Sequence, residues 1–118
     1  MTARILIVED ELDFSEALCE VLRLEGFVAT SVASIAAFRQ WMQTQRCDIL
    51  IVDRNLPDGD GLEIVRLHRR GDSGPVIIMT GEGHAEARIS GINADADYYL
   101  VKPIVPDELP AKNRQPLW

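Results

Sequence analysis

Three short stretches of the chain are apolar without interruption, from Ile5 to Val8, from Ile49 to Val52 and from Val76 to Met79. Short runs that are apolar on both sides are typical of parallel strands covered by helices on both faces. Two weaker strands are predicted from Phe27 to Val32 and from Tyr98 to Val101. The hydrophobic pattern therefore predicts five strands.

The segment after the first strand has the spacing of an amphipathic helix. Its predicted apolar face consists of Phe14, Ala17, Leu18, Val21 and Leu22. Gly26 follows at the position where a left-handed residue commonly ends a helix. The sequence thus predicts a helix of about three turns, the repeat being 3.6 residues.

Further helices are predicted between the remaining strands. Ser34 can cap a second helix, and its apolar side would hold Phe38, Trp41 and Met42. A third helix is predicted from Gly61 to Arg70, before the stop sequence "GDSGP", and a fourth across residues 85–94.

Strand and helix alternate five times along the chain, which predicts an α/β fold. The expected architecture is a doubly wound, five-stranded parallel sheet with helices on both faces. The 118 residues, of which 47% are hydrophobic, suffice for one core. We expect residues 1–105 to form that core and residues 106–118 to form a short or bent final helix and the start of a linker. Pro110 supports the second expectation, because proline disrupts a helix interior.

The charge of the chain limits its partners. The formal net charge is −7, and no stretch is rich in Lys and Arg, which argues against direct binding of nucleic acid or of an anionic membrane surface by this domain. No apolar stretch approaches the length of a membrane span, and the N-terminus lacks the layout of a signal peptide, so a cytoplasmic location is expected. Cys19 and Cys47 form no CxxC pair and are expected to be buried free thiols.

Polar residues follow four of the predicted strands. In sheets of this class, ligands bind beyond the carboxyl ends of the strands. Each such residue alone could be a turn cap or a solvated side chain. Together they predict a pocket with carboxylates on one side and a hydroxyl and an ammonium group on the other. The strand-end residues are Glu9, Asp10, Asp53, Thr80 and Lys102.

Four motifs, "ILIVEDE", "DILIVDRNLPDGDG", "VIIMTGEG" and "ADYYLVKP", resemble those of receiver domains of two-component response regulators. The resemblance extends over about residues 4 to 105. It implies a flavodoxin-like sheet with the strand order 2-1-3-4-5.

The resemblance also implies a role for each matching residue. Asp53 would be the phosphoacceptor. A cation, Mg²⁺ or alternatively Mn²⁺, would be held by Glu9, Asp10, Asp53 and the main-chain carbonyl of Asn55. Thr80 and Lys102 would contact the phosphoryl group, Thr80 and Tyr99 would form the switch, and Pro103 would follow a cis peptide bond. Asn55 and Glu82 would tune dephosphorylation by orienting a water molecule.

The expected function is that of a signalling domain rather than an enzyme. A sensor histidine kinase would supply the phosphoryl group, and the domain would assist its own phosphorylation and dephosphorylation. Transcription would be regulated through an effector domain, DNA-binding by analogy with the family, that is missing from this sequence. A homodimer is a further expectation. Ile104 stands where the family usually has an aromatic residue, so the resemblance does not extend to the surface that would signal to the effector domain.

Three other protein classes fit the residues less well. Phosphohydrolases with an aspartate nucleophile are expected to carry a second Asp two residues later, where this chain has Asn55. A dinucleotide-binding unit is disfavoured because the first turn, "VEDELD", has no glycine-rich loop. A receiver-like module that signals without phosphorylation is disfavoured because the acceptor, cation and lysine positions are all retained.

Overall fold

A five-stranded parallel sheet forms the centre of the protein in a computed structural model that describes residues 2–71, 74–80 and 98–101. A two-stranded antiparallel hairpin accompanies it. In chain order the strands are β1 (Arg4–Val8), β2 (Val28–Val32), β3 (Ile49–Asp53), β4 (Asn55–Leu56), β5 (Gly59–Asp60), β6 (Val76–Thr80) and β7 (Tyr98–Val101).

The main sheet has the order β2-β1-β3-β6-β7. Numbered without the hairpin, this is the predicted order 2-1-3-4-5. All four strand pairs are parallel, and Val8 lies opposite Val52 in the pairing of β1 with β3. The prediction of a doubly wound sheet is therefore confirmed.

Successive side chains of the central strands enter two separate cores, because neighbouring residues of a strand point to opposite faces. Ile49 and Ile51 pack in one cluster with Leu18 and Leu22, and the intervening Leu50 packs in a second cluster. All five residues of β3 are buried. Burial on both faces explains why this strand is an unbroken apolar run rather than an alternating one.

Helix α1 spans Leu12–Leu24 and covers one face of the sheet. Its buried residues are Ser15, Leu18, Cys19 and Leu22. The prediction for Ala17 is wrong, since that residue is exposed. The spacing of three and four residues from Ser15 to Leu22 turns Ala17 towards the opposite side of the helix.

The end of α1 has the predicted glycine geometry. Gly26 has φ +98°. Its N–H donates to the Arg23 carbonyl at 3.0 Å, and the Phe27 N–H donates to the Leu22 carbonyl at 3.0 Å. These two bonds form a Schellman motif, which satisfies carbonyls at the helix end and turns the chain into β2.

Helices α2 (Ile35–Trp41) and α3 (Leu62–Gly71) cover the other face. The Ser34 hydroxyl accepts a bond from the Ala37 N–H at 3.0 Å, which confirms the predicted cap. Phe38 is buried, and Trp41 and Met42 pack against the same cluster. The predicted helix at residues 85–94, the segment 106–118 and residues Lys102, Pro103, Ile104 and Pro110 lie outside the described residues.

The hairpin β4–β5 was not predicted, since two residues per strand give no hydrophobic period, although "PDG" is a common turn sequence.

Cys19 and Cys47 are buried free thiols, as expected. Burial raises the pKa of the Cys19 thiol, while Arg23 and a bond from Ser31 oppose the shift. Among the described residues, no helix has the length and apolar character needed to cross a bilayer.

Candidate functional site

The carboxyl ends of β1 and β3 bring three acidic residues together. Glu9 and Asp10 follow β1, and Asp53 is the last residue of β3. One carboxylate oxygen from each of the three lies within 4.8 Å of the others. Glu9 and Asp53 are buried and Asp10 is exposed. The predicted cluster of carboxylates therefore forms, with one side open to solvent.

Backbone groups orient the two buried carboxylates. The Glu11 N–H donates to Glu9 Oε2 at 3.1 Å, and the Asn55 N–H donates to Asp53 Oδ1 at 3.0 Å. The Glu9 N–H donates to the Val32 carbonyl at 2.9 Å and so fixes the first residue after β1. A hydrogen bond to an ionised acceptor is about twice as strong as one between neutral groups. Main-chain donors thus help to orient both buried acidic side chains.

Three carboxylates at this spacing repel one another. Two unit charges about 5 Å apart interact by about 3 kcal/mol at an effective dielectric of about 20. A divalent cation among them would convert repulsion into attraction. Carboxylate oxygens are hard ligands of the type that Mg²⁺ and Mn²⁺ accept, so the donor set of the cluster fits such an ion.

The strands that carry the other predicted site residues lie beside β3. Asp53 is paired in register with Met79, the residue before Thr80, and Thr80 is paired with Val101, the residue before Lys102. The main chain of Thr80 thus lies at the carboxyl end of the strand next to Asp53. Tyr99 lies on β7 opposite Ile78. Lys102, Pro103 and Glu82 lie outside the described residues.

The loop after Asp53 is fastened close to its strand. The Arg54 N–H donates to the Met79 carbonyl at 2.9 Å, and the Gly61 N–H donates to the Arg54 carbonyl at 2.8 Å. A Cβ at position 61 would overlap the main-chain oxygen of Asp53. Only glycine permits this approach, and it closes the loop directly against Asp53.

Asp60 ends the same loop. Its carboxylate accepts a bond from the Leu62 N–H at 3.0 Å at the start of α3, and the Arg54 side chain lies 3.4 Å from it. The side chain of Asp60 therefore caps α3, as acidic residues at helix starts commonly do.

Asp58 is a residue whose role the sequence did not suggest. Its two carboxylate oxygens accept bonds from the Ile35 N–H at 2.9 Å and from the Ala36 N–H at 3.0 Å. These bonds hold the pKa of the Asp58 carboxyl below its usual range. The sequence around Asp58 is typical of a turn. It does not indicate a bond to a helix more than twenty residues earlier, because such a bond depends on tertiary packing.

The chain belongs to the response regulator receiver domain family, whose family model matches residues 5–114. This membership confirms the resemblance drawn from the four motifs. A receiver domain is a phosphoacceptor domain of a two-component system, and this is the class of protein that the fold and the acidic cluster define.

Individual relatives agree with this assignment. The TorCAD operon transcriptional regulatory protein TorR of Escherichia coli K12 is 36% identical over 118 residues, which are 100% of this chain and 51% of that protein. The phosphate regulon transcriptional regulatory protein PhoB of Klebsiella pneumoniae is 34% identical over 115 residues, 95% of this chain and 50% of that protein. The chain thus spans about half the length of these curated relatives.

A solved structure gives the same result for the fold. The CheY-like response regulator receiver domain protein of Methanospirillum hungatei superposes with a TM-score of 0.90 at 27% sequence identity. The superposition covers 98% of this chain and 93% of the other.

Proposed function

We propose that Asp53 is the residue that accepts the phosphoryl group in this receiver domain. The observation that supports this most directly is the 4.8 Å cluster of Glu9, Asp10 and Asp53 at the ends of two adjacent parallel strands. Within it, Asp53 ends the central strand and its carboxylate is oriented by the Asn55 N–H. A carboxylate nucleophile acts without a general base.

We further propose that Glu9, Asp10, Asp53 and the Asn55 main-chain carbonyl hold Mg²⁺, with Mn²⁺ as an alternative. When bound, the ion neutralises charge on the phosphoryl oxygens. The chain's own residues orient the nucleophile and, through burial of Glu9 and Asp53, exclude water from one side of the site.

The transfer is a single displacement at phosphorus. An Asp53 carboxylate oxygen forms a bond to the phosphorus of the donor. The bond from that phosphorus to the donor's leaving atom breaks, and its electron pair stays with the donor. Catalysis of this step rests mainly on alignment and charge neutralisation.

Thr80 and Lys102 complete the site in this proposal by contacting the phosphoryl oxygens, and Pro103 follows a cis peptide bond. The phosphoryl group brings a charge of about −2 to the end of β6. Movement of the Thr80 hydroxyl towards it, with the Tyr99 ring following, would bias a two-state output surface. This proposal is supported by the pairing of β6 with β7, in which Thr80 lies opposite Val101, the residue before Lys102, and Ile78 lies opposite Tyr99.

Asn55 and Glu82 are proposed to set the lifetime of the phosphorylated form by orienting the hydrolytic water. Since Asn55 lies two residues from Asp53, its side chain belongs to the loop that borders the cluster. A dephosphorylation time course of the Asn55, Glu82 double variant measures this role. An unchanged rate would reject it.

The partners of the domain are also proposals. A sensor histidine kinase would donate the phosphoryl group, and the domain, a signalling domain rather than an enzyme, would assist its own phosphorylation and dephosphorylation. Regulation of transcription through a DNA-binding effector domain is supported by relatives about twice the length of this chain. A cytoplasmic location, a homodimer and a domain core ending at residue 105 remain predictions of the sequence.

Intact-mass measurement tests the central proposal. The protein is incubated with a small phosphodonor and MgCl₂, and wild type is compared with Asp53→Asn, which can still accept the Asn55 N–H bond. We expect wild type to gain the mass of one phosphoryl group and the variant to gain none. Equal labelling of both proteins would show that another residue is the acceptor, and repeated turnover of a phosphomonoester would favour a phosphohydrolase.

A further inference from the structure

One side chain attaches the loop after Asp53 to helix α2. Asp58 lies between β4 and β5, and its carboxylate accepts the N–H groups of Ile35 and Ala36 at 2.9 and 3.0 Å. These donors belong to the first turn of α2, whose N–H groups have no partner within the helix. Asp58 therefore serves as a cap supplied from a distant part of the chain.

A second contact joins the same two elements. Gly59, the residue after Asp58, has φ +153°, and a Cβ built there would lie 2.8 Å from Ile35 Cδ1. Ile35 is itself buried in the core beneath α2 and α3. The turn of the hairpin is thus held against the start of α2 by bonds from the Ile35 and Ala36 N–H groups and by the close approach of the Ile35 side chain to Gly59.

The hairpin leads directly to the acidic cluster. Asn55 pairs with Asp60 and Leu56 pairs with Gly59 across the two short strands. The Asn55 N–H in turn orients Asp53 Oδ1 at 3.0 Å. The base of the hairpin is fastened beside β3 through Arg54 and Gly61, and its turn is fastened to α2 through Asp58. The main chain of Asn55 lies between these two attachments.

We propose that Asp58 is a positioning residue for the cation site. By fastening the hairpin to α2, Asp58 holds the main chain of Asn55 in the position from which the Asn55 carbonyl binds the divalent cation. The proposal rests on the proposed function, in which the Asn55 carbonyl is a ligand. Asp58 touches neither the cation nor the phosphoryl group in this scheme and acts only through the hairpin.

The structure supplies a matched control at the same helix end. The Ser34 hydroxyl caps α2 by accepting the Ala37 N–H at 3.0 Å, but Ser34 belongs to the segment entering the helix. Ser34→Ala and Asp58→Ala both weaken the start of α2. Only Asp58→Ala also removes the bonds between the hairpin turn and α2, so the pair separates loss of helix stability from loss of positioning.

The experiment is a titration of ¹⁵N-labelled protein with MgCl₂, followed by NMR at the amides of residues 9–11 and 53–56, at a temperature where all variants are folded. We expect Asp58→Ala to bind Mg²⁺ about tenfold more weakly than wild type, the lower end of the effect found for groups that support metal ligands. Ser34→Ala should bind as wild type does. Asp58→Asn, which keeps an acceptor oxygen, should restore part of the affinity.

The phosphorylation rate gives a second measurement. Asp58→Ala should be labelled more slowly than wild type at low MgCl₂ and at the same rate at saturating MgCl₂. Wild-type affinity in Asp58→Ala, or an equal loss in Ser34→Ala, would overturn the positioning role while leaving Asp53 as the acceptor. Wild type that takes up neither Mg²⁺ nor a phosphoryl group would overturn the proposed function and the positioning role together.

Discussion

At the scale of single residues, Gly61 and Gly26 are required for different physical reasons. An alanine substitution at each position can distinguish the two reasons. Gly61 lies so close to Asp53 that a Cβ would overlap the Asp53 main-chain oxygen, whereas Gly26 has nothing within 4 Å of a built Cβ. The constraint at Gly61 is therefore steric, and that at Gly26 comes from its φ of +98°.

Gly61→Ala should both destabilise the protein and disturb the acidic cluster. The overlap is with backbone, which cannot move aside as a side chain can, so we expect a loss of about 1–3 kcal/mol in the free energy of unfolding. The Mg²⁺ affinity should fall with it. Urea denaturation and the MgCl₂ titration measure the two effects.

Gly26→Ala is the control for this prediction. A left-handed alanine costs about 1–2 kcal/mol, but Gly26 is at the end of α1, and the Mg²⁺ affinity should stay at the wild-type value. If Gly61→Ala keeps full affinity as well, the close approach at Asp53 contributes to stability alone.

At the scale of elements, the sequence predicted the five strands of the main sheet and helix α3 to within one residue at each end, and the presence of α1 and α2. The reason is physical: β3 is buried on both faces and so has an unambiguous apolar run, and α2 and its Ser34 cap depend on local bonds. The hairpin β4–β5 was missed because two residues per strand give no hydrophobic period. The Asp58 bonds were missed because they join Ile35 to a turn far along the chain.

The cap from Asp58 predicts a pH dependence for helix α2. Bonds from Ile35 and Ala36 hold the folded pKa of Asp58 below its ordinary value of 3.8. A depressed carboxyl pKa adds stability that is present above the unfolded pKa and is lost as pH falls through the folded pKa. The destabilisation caused by Asp58→Asn should therefore be largest near neutral pH and shrink as the pH falls below 3.8.

Ser34→Ala provides the comparison, because a hydroxyl does not titrate in this range. Its effect on the free energy of unfolding should be the same at every pH at which the protein folds, and about 1 kcal/mol in size. Urea denaturation of both variants from acid to neutral pH measures the difference. An Asp58→Asn effect that does not change with pH would show that its charge is irrelevant to the cap.

At the scale of the whole molecule, convergence of the acidic residues followed from the fold class. Carboxyl ends of parallel strands meet at one edge of the sheet, so the sequence alone predicted that Glu9, Asp10 and Asp53 lie together. What the sequence could not supply is the support around them, since the bonds from Glu11 and Asn55 depend on how each turn leaves its strand.

This arrangement sets function against stability. Asp53 is 4% exposed and lies within a cluster of like charges, so neutralising it should stabilise the protein when no divalent cation is present. Asp53→Asn keeps an acceptor for the Asn55 N–H, replaces the other carboxylate oxygen with an NH₂ group and removes the charge. Relief of about 1 kcal/mol would raise the Tm by about 4 °C in a domain of this size.

Magnesium should reverse the comparison. A ligand that binds only the folded state stabilises it in proportion to the logarithm of its concentration above Kd, and wild type should gain more than Asp53→Asn because it keeps every carboxylate. Glu20→Gln, at an exposed position of α1, is the control for net charge and should follow wild type under both conditions. Thermal unfolding with EDTA and with MgCl₂ measures these shifts; a lower Tm for Asp53→Asn in EDTA would mean that the hydrogen bonds of the Asp53 carboxylate outweigh its repulsion from Glu9 and Asp10.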